Sequence, residues 1–289
     1  MISGLVVLGL VFLLILVIFL TREDSFFEQG ERIGVVSIKG VILDSKSATD
    51  QIKKFRKDPK IKAILIRVDS PGGSTAASQE IYREILRTTP VKRVVTSMGN
   101  VGASGGYYIA VASNKIMANP GTLTGSIGVV MKFSKVKELL RKIGVESEVV
   151  KSGAFKDIGS PFRDMRPEER RLLEGVIQNV HQQFVQVVSK GRGLSREAVE
   201  KIADGRIFSG EQAKQLGLID ELGSFEDAVE LIKKMTGLKG EVKLVYGEKK
   251  RFSFWEFLLS GLAGEVRQAL EEPASIPHLL LVPPVFYKN

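Results

Sequence analysis

The chain has 289 residues, of which 44% are hydrophobic and 26% charged, so it can build a sizeable core in one large or two small domains. It has no cysteine, which excludes a disulfide scaffold, a thiol nucleophile and thiolate metal sites. The formal net charge is +9, but basic residues are interspersed with acidic ones, as over 167–174, and no basic stripe carries aromatics; a solvated basic surface near anionic lipid accounts for the charge, and nucleic acid is not an expected partner.

Residues 5–20 read LVVLGLVFLLILVIFL, with no charged or strongly polar side chain. With residues 1–4 included, a helix here spans about 30 Å, the thickness of a bilayer core. A cleaved secretory signal needs a basic start and a small-residue cleavage site. No Lys or Arg precedes the run, and Phe19-Leu20-Thr21-Arg22 is a poor site. The expectation is an uncleaved transmembrane anchor over 1–21 and a polar linker over 22–31. Arg22 is followed by Glu23 and Asp24, so this flank is not positive, which favours a cell-membrane protein whose bulk lies outside the cytoplasm.

Alternating patterns begin after the linker. Strands are predicted over 33–38, 61–68 and 91–98, with a polar helix over 47–57 and a second helix from the Gly72-Gly73 turn to about 88. The third strand leads into residues 99–106 (GNVGASGG) and then an apolar helical pattern to 112. Strands alternating with helices imply βαβ units and a mainly parallel sheet, an α/β fold. A strand-like piece covers 146–150. From 166 to 191 runs a long amphipathic helix with Leu172, Val176, Val180, Phe184 and Val187 on one face, a stripe suited to core or subunit packing. Shorter helices fill 195–236. The domain is expected to cover 32–240. A C-terminal extension over 241–289 opens with a strand-like piece, and Lys249, Lys250 and Arg251 precede an amphipathic helix over 252–270 in which Phe252, Trp255, Leu258, Leu259 and Leu262 recur at near-helical spacing.

Two glycine-rich turns, 69–73 (DSPGG) and 99–106, each follow a strand and open a helix. Backbone N–H groups at such points are oriented donors helped by the helix dipole, and glycine lets a bound atom approach. A tetrahedral oxyanion needs a pair of such donors. Ser104 at the start of the second helix is placed to attack a carbonyl whose oxygen lies between the N–H groups of Gly73 and Gly105. The local string leaves a second reading open, in which Gly-Ala-Ser-Gly-Gly serves close helix packing and Ser104 only caps the helix.

A nucleophilic serine needs a base. The chain has two histidines: His181 lies inside the long helical pattern and His278 in the proline-rich tail, so a Ser-His-Asp triad is improbable. Lysine is the remaining candidate, because burial can bring its amine toward neutrality. Spacing alone does not choose among the lysines. Lys156 stands out by its setting in residues 152–161 (SGAFKDIGSP), a small-residue loop after a strand-like piece; an ordinary solvated loop lysine stands beside that reading.

These stretches together resemble the signal peptide peptidase A family, in its short single-domain form, over roughly residues 31–236. The resemblance rests on DSPGG at 69–73, GNVGASGGYY at 99–108, TGSIGV at 124–129, SGAFKDIGSP at 152–161 and GRIFSGEQAKQLGLIDEL at 205–222. It implies a Clp/crotonase-like spiral of ββα units behind one N-terminal transmembrane helix. It implies a serine endopeptidase with Ser104 as nucleophile, Lys156 as general base and Ser126 as a supporting hydroxyl near the lysine amine. It further implies remnant signal peptides and other apolar peptides as substrates, contact with membrane lipid, assembly of several like subunits with the dyad completed between them, and no metal or cofactor. Two rivals share parts of the pattern: a crotonase-like enzyme acting on acyl-CoA thioesters, which leaves the anchor and SGAFKDIGSP unexplained, and a membrane scaffold whose site is idle. A Ser-Lys membrane peptidase of the stomatin-partner type differs mainly in substrate.

Overall fold

The computed structural model describes residues 31–247 and the short strand Leu280–Leu281. The expected anchor over 1–21, the linker over 22–31 except its last residue, the helix over 252–270 and His278 lie outside the described residues. Among the described residues no helix is long and apolar enough to cross a membrane.

The strands, in chain order, are β1 (Arg32–Lys39), β2 (Ile61–Ser70), β3 (Gly73–Ser74), β4 (Arg93–Ala103), β5 (Lys115–Ala118), β6 (Leu123–Gly125), β7 (Ile207–Ser209), β8 (Glu221–Leu222), β9 (Lys243–Tyr246) and β10 (Leu280–Leu281). The helices are α1 (Lys46–Lys57), α2 (Thr75–Thr88), α3 (Gly105–Ala110), α4 (Lys137–Lys142), α5 (Pro167–Arg192), α6 (Arg196–Glu200), α7 (Gly210–Gln215) and α8 (Phe225–Thr236). The main sheet has the order β7-β6-β4-β2-β1-β9, with β5 and β8 joined through β4. All pairs are parallel except β6 with β7. The protein is thus a mixed α/β chain on a mostly parallel sheet, and the sheet takes in β9, beyond residue 240.

Strand β2 reads IKAILIRVDS because both of its faces are covered. Ile64, Ile66 and Val68 pack with Ile52 and Phe55 of α1 and Ile81 and Ile85 of α2. Ala63 and Leu65 pack on the opposite face with Ala228, Val229 and Ile232 of α8. A third cluster joins Tyr107 and Tyr108 of α3 to Phe184, Val185 and Val188 of α5. These clusters place the ends of β2 and β4, where the glycine turns lie, on rigid supports.

Two sequence expectations are corrected and a third is narrowed. The third strand runs on through Gly99, Gly102 and Ala103, ending at residue 103 and not at 98. Its first half pairs with β5 and its last residues with β6, so the glycine stretch is ladder as well as turn. Residues 146–150 form no strand; Val149 and Val150 are exposed and no neighbouring strand takes up their backbone. On α5 the buried residues are Glu169, Leu173, Phe184, Val185 and Val188, whereas Leu172 and Val176 are 45% and 42% exposed. The stripe predicted from periodicity is therefore core only toward the C-terminal half of the helix.

Candidate active site

One residue, Ser104, separates the end of β4 from the start of α3. Turning from strand to helix without a loop forces its backbone to φ 52°, ψ −118°. Among the described residues the only non-glycine positions with positive φ are Ser104 and Ser126. Such conformations cost about 1–3 kcal/mol and persist where surroundings over-determine them, commonly at functional sites. The surroundings here are specific. The Ser104 N–H donates to the Gly125 carbonyl at 2.8 Å. Helix α3 is buried along its whole length. The Tyr107 hydroxyl donates to the Leu218 carbonyl at 2.8 Å, and burial pushes that phenol well above its ordinary range. Tyr108 packs edge-on against Tyr82 and at a tilt against Phe184, with ring centroids 5.1 and 5.0 Å away.

Ser104 itself is 1% exposed, and its Oγ is buried without a hydrogen-bond partner among the described residues. A merely capping serine would accept from an N–H of the first helical turn; this one makes no such bond. The hydroxyl is thus held, desolvated and unspent, at the positive end of a short helix.

The two glycine turns meet at this point. A Cβ placed on Gly105 would come 2.5 Å from Ser78 Oγ and 3.3 Å from the Gly73 nitrogen. One on Gly106 would lie 2.9 Å from the Ser70 carbonyl oxygen. Only glycine permits this approach, which brings Gly105 up against the Gly72–Gly73 turn. The Gly73 turn is tied down on its far side. The Ile42 N–H donates to the Gly72 carbonyl at 2.9 Å, and the Ser74 N–H to the Ile42 carbonyl at 2.7 Å. Gly105 is the first residue of its helix, where N–H groups have no intrahelical acceptor. On the open side of Gly73–Ser74 lies Leu280–Leu281, paired antiparallel.

Ser126 is 4% exposed and follows the residue whose carbonyl receives the Ser104 amide; its own N–H donates to the Arg206 carbonyl at 2.9 Å. The structure therefore brings Ser104, Gly73, Gly105 and Ser126 into one neighbourhood. No hydrogen bond joins Lys156 to Ser104 within the chain. Lys156 is exposed, and its amine has no partner among the described residues, just as Ser104 Oγ has none. His181 contacts the Ala203 carbonyl at 2.6 Å through Nε2 and takes no part in the site.

Several supports were not legible in the sequence. Asp69 accepts from the Val101 N–H at 3.1 Å and the Asn100 amide at 3.2 Å, fastening one glycine turn to the other. Thr122 and Thr124 donate to the carbonyls of Gly99 and Gly102, each at 2.7 Å, and hold β6 on the same stretch. Asp69 lies inside a quoted motif, but its acceptor role depends on residues some thirty positions away.

The family model described as peptidase family S49 matches residues 87–239, a span that contains Ser104, Ser126 and Lys156. A putative protease of Synechocystis sp. is 44% identical over 209 residues, covering 72% of this chain and 76% of that protein. A putative signal peptide peptidase SppA of Enterococcus faecium is 36% identical over 240 residues, covering 77% and 70%. Protease 4 of Salmonella typhi is 36% identical over 272 residues, covering 91% of this chain but 43% of that longer protein.

Proposed function

The chain belongs to peptidase family S49, and from that premise we propose that it is a membrane-anchored serine endopeptidase using a Ser104–Lys156 dyad to degrade remnant signal peptides and other apolar peptides. The observation that carries the reading is Ser104: a buried hydroxyl without a partner, on a strained strand-to-helix junction beside two glycine amides.

The reaction follows from these parts. Neutral Lys156 takes the Ser104 proton as Oγ attacks the scissile carbonyl. The N–H groups of Gly73 and Gly105 hold the resulting oxyanion, each such donor contributing about 3 kcal/mol in comparable sites. Lys156 returns the proton to the leaving amine, and water activated by the same amine releases the acyl group. Ser126, one residue from the carbonyl that holds the Ser104 amide, supports the lysine amine. An extended substrate pairs with the Gly73–Ser74 edge, and the antiparallel seat of Leu280–Leu281 supports that mode.

We read the architecture as a Clp/crotonase-like spiral, supported by the repeated strand–turn–helix units and by the division of β4 between two partner strands. Residues 1–21 form the anchor in this reading, with the peptidase domain outside the cytoplasm. The exposed Lys156 and partnerless Ser104 within one chain support a dyad completed between like subunits.

Covalent labelling with a serine-reactive phosphonate tests the reading. Wild type is expected to take one label, on Ser104, while Ser104→Ala takes none and Lys156→Ala is labelled far more slowly. Equal labelling of wild type and Lys156→Ala would remove Lys156 from the mechanism.

A further inference from the structure

Residues 151–166 form an exposed loop that carries Lys156 away from the core. Short backbone turns shape it, including the Lys156 N–H to the Gly153 carbonyl at 3.1 Å and the Ile158 N–H to the Phe155 carbonyl at 3.1 Å. Such turns alone do not fix a loop on its support. The fixing falls to charged side chains grouped on both sides of Lys156.

Asp157, the next residue, receives the Arg163 Nε at 2.8 Å and the Lys151 amine. Arg163 turns its other edge to Glu169, donating from Nη1 at 2.8 Å and Nη2 at 2.6 Å. Glu169 is 0% exposed, in the first turn of α5, and also accepts from the Arg166 backbone N–H at 2.9 Å and Arg166 Nη2 at 2.7 Å. Arg166 reaches back from there to the Ala154 carbonyl and lies over the Phe155 ring, 5.8 Å from its centroid. The backbone is thus held two residues before Lys156 and one residue after it. Every charge in the group is used on another member, and the Lys156 amine is left out.

That omission has a chemical consequence. Asp157 is the carboxylate nearest to Lys156 in the chain. An unengaged carboxylate beside a lysine favours the ammonium, which cannot act as a base. Here Arg163 and Lys151 occupy both Asp157 oxygens.

We propose that Asp157, Arg163, Glu169 and Arg166 are positioning residues, a clamp that presents Lys156 at a fixed place while Lys151 and Arg163 keep Asp157 from its amine. The proposal rests on the reading of Lys156 as base, and its test separates the two. Asp157→Asn is expected to lower kcat about a hundredfold, the scale of a small misplacement, with KM within about twofold. Arg163→Lys keeps the charge but loses the two-edged fork, and is expected to lower kcat at least tenfold when assayed well below its melting temperature. The decisive measurement repeats Asp157→Asn in a Lys156→Ala background, using residual hydrolysis of an activated ester. With no lysine to position, the second substitution is expected to change nothing.

If both Asp157→Asn and Arg163→Lys keep wild-type kcat while Lys156→Ala is inactive, the clamp is unnecessary and the dyad stands. An equal loss from Asp157→Asn in both backgrounds shows that the group supports the fold or the assembly, and overturns positioning. Full activity of Lys156→Ala overturns the dyad and the clamp with it.

Discussion

Ser104 sets two demands against each other. Its backbone sits at φ 52°, where a side chain is strained, and its hydroxyl is buried without a partner. Both features destabilise the fold, by about 1–3 kcal/mol each. Glycine adopts this conformation freely and has no hydroxyl to desolvate. Ser104→Gly is therefore expected to raise unfolding stability by about 1 kcal/mol, after allowance for glycine's larger unfolded-state entropy, while abolishing peptide cleavage. Denaturant unfolding checks the first half and a peptide assay the second; a less stable Ser104→Gly protein would mean that the hydroxyl is structural. Lys156 invites the complementary substitution. Lys156→Arg keeps the charge, but guanidinium gives up no proton near neutral pH. Both Lys156→Arg and Lys156→Ala are expected to lose cleavage, and a purified Lys156→Arg protein with substantial activity would refute the base. In the wild type kcat/KM should rise with pH through one ionisation and stay high into mild alkali, since only a neutral amine accepts the serine proton. A profile that falls above about pH 7 contradicts a lysine base.

At the scale of elements, α5 does two jobs: its C-terminal half is core, and its first turn holds the Lys156 loop through Glu169. Hydrogen bonds from Arg163 and then Arg166 keep the Glu169 carboxyl well below the usual carboxylate range, against the opposing pull of burial. The folded carboxylate therefore binds a proton less readily than the unfolded one, whose ordinary value is 4.5. Its stabilising effect is complete above that value and is lost as pH falls further. Glu169→Gln is expected to melt at a lower temperature than wild type at neutral pH, and the gap should narrow below about pH 4. Melting curves across that range check it, and a gap that stays constant would show that ionisation of Glu169 is not involved. The contrast in what the sequence revealed has a physical basis. Helices α1 and α2 were legible because a repeating period records which face is buried, and strands β1 and β2 because short runs of β-branched and other apolar residues mark strands covered on both faces. Ser104, Gly73 and Gly105 were legible as strand–glycine–helix junctions, whose chemistry is local. The extension of β4 was not, because GNVGA carries too few side chains to show a period. The Asp157–Arg163–Glu169 group was not either, since its members sit six residues apart, two in a loop without regular structure and one in the first turn of α5. The α5 stripe was legible as an apolar face, but periodicity does not report how far along the helix the core extends.

At the scale of the whole molecule, the parts of the proposed reaction are divided. Ser104 lies sealed in the domain with its hydroxyl unpartnered, and Lys156 stands exposed on a loop. The segment around that loop also leaves several apolar side chains uncovered: Val149, Val150, Phe155, Phe162, Leu172 and Val176 all face solvent in the single chain, as do others such as Leu43 and Val91 elsewhere. Exposed apolar surface concentrated in one region of a chain marks a contact. We propose a second copy as the occupant, since it would cover the apolar surface and deliver a lysine to a serine that lacks one. Closed symmetry would then repeat the exchange around the assembly. Ser104→Ala and Lys156→Ala are each expected to be inactive alone, yet a mixed assembly holds some sites with both good residues. With equal amounts and random mixing, a site drawing its serine from one subunit and its lysine from the next is intact about a quarter of the time. Co-expression of two differently tagged variants and sequential purification yields such mixtures, and their activity should approach that fraction of wild type. Leu172→Asp combined with Val176→Asp should abolish the recovery by preventing assembly, leaving the fold of the single chain intact by far-ultraviolet circular dichroism. Verified mixed assemblies with no activity would place both residues of the dyad in one chain, which requires the Lys156 loop to fold back onto its own Ser104.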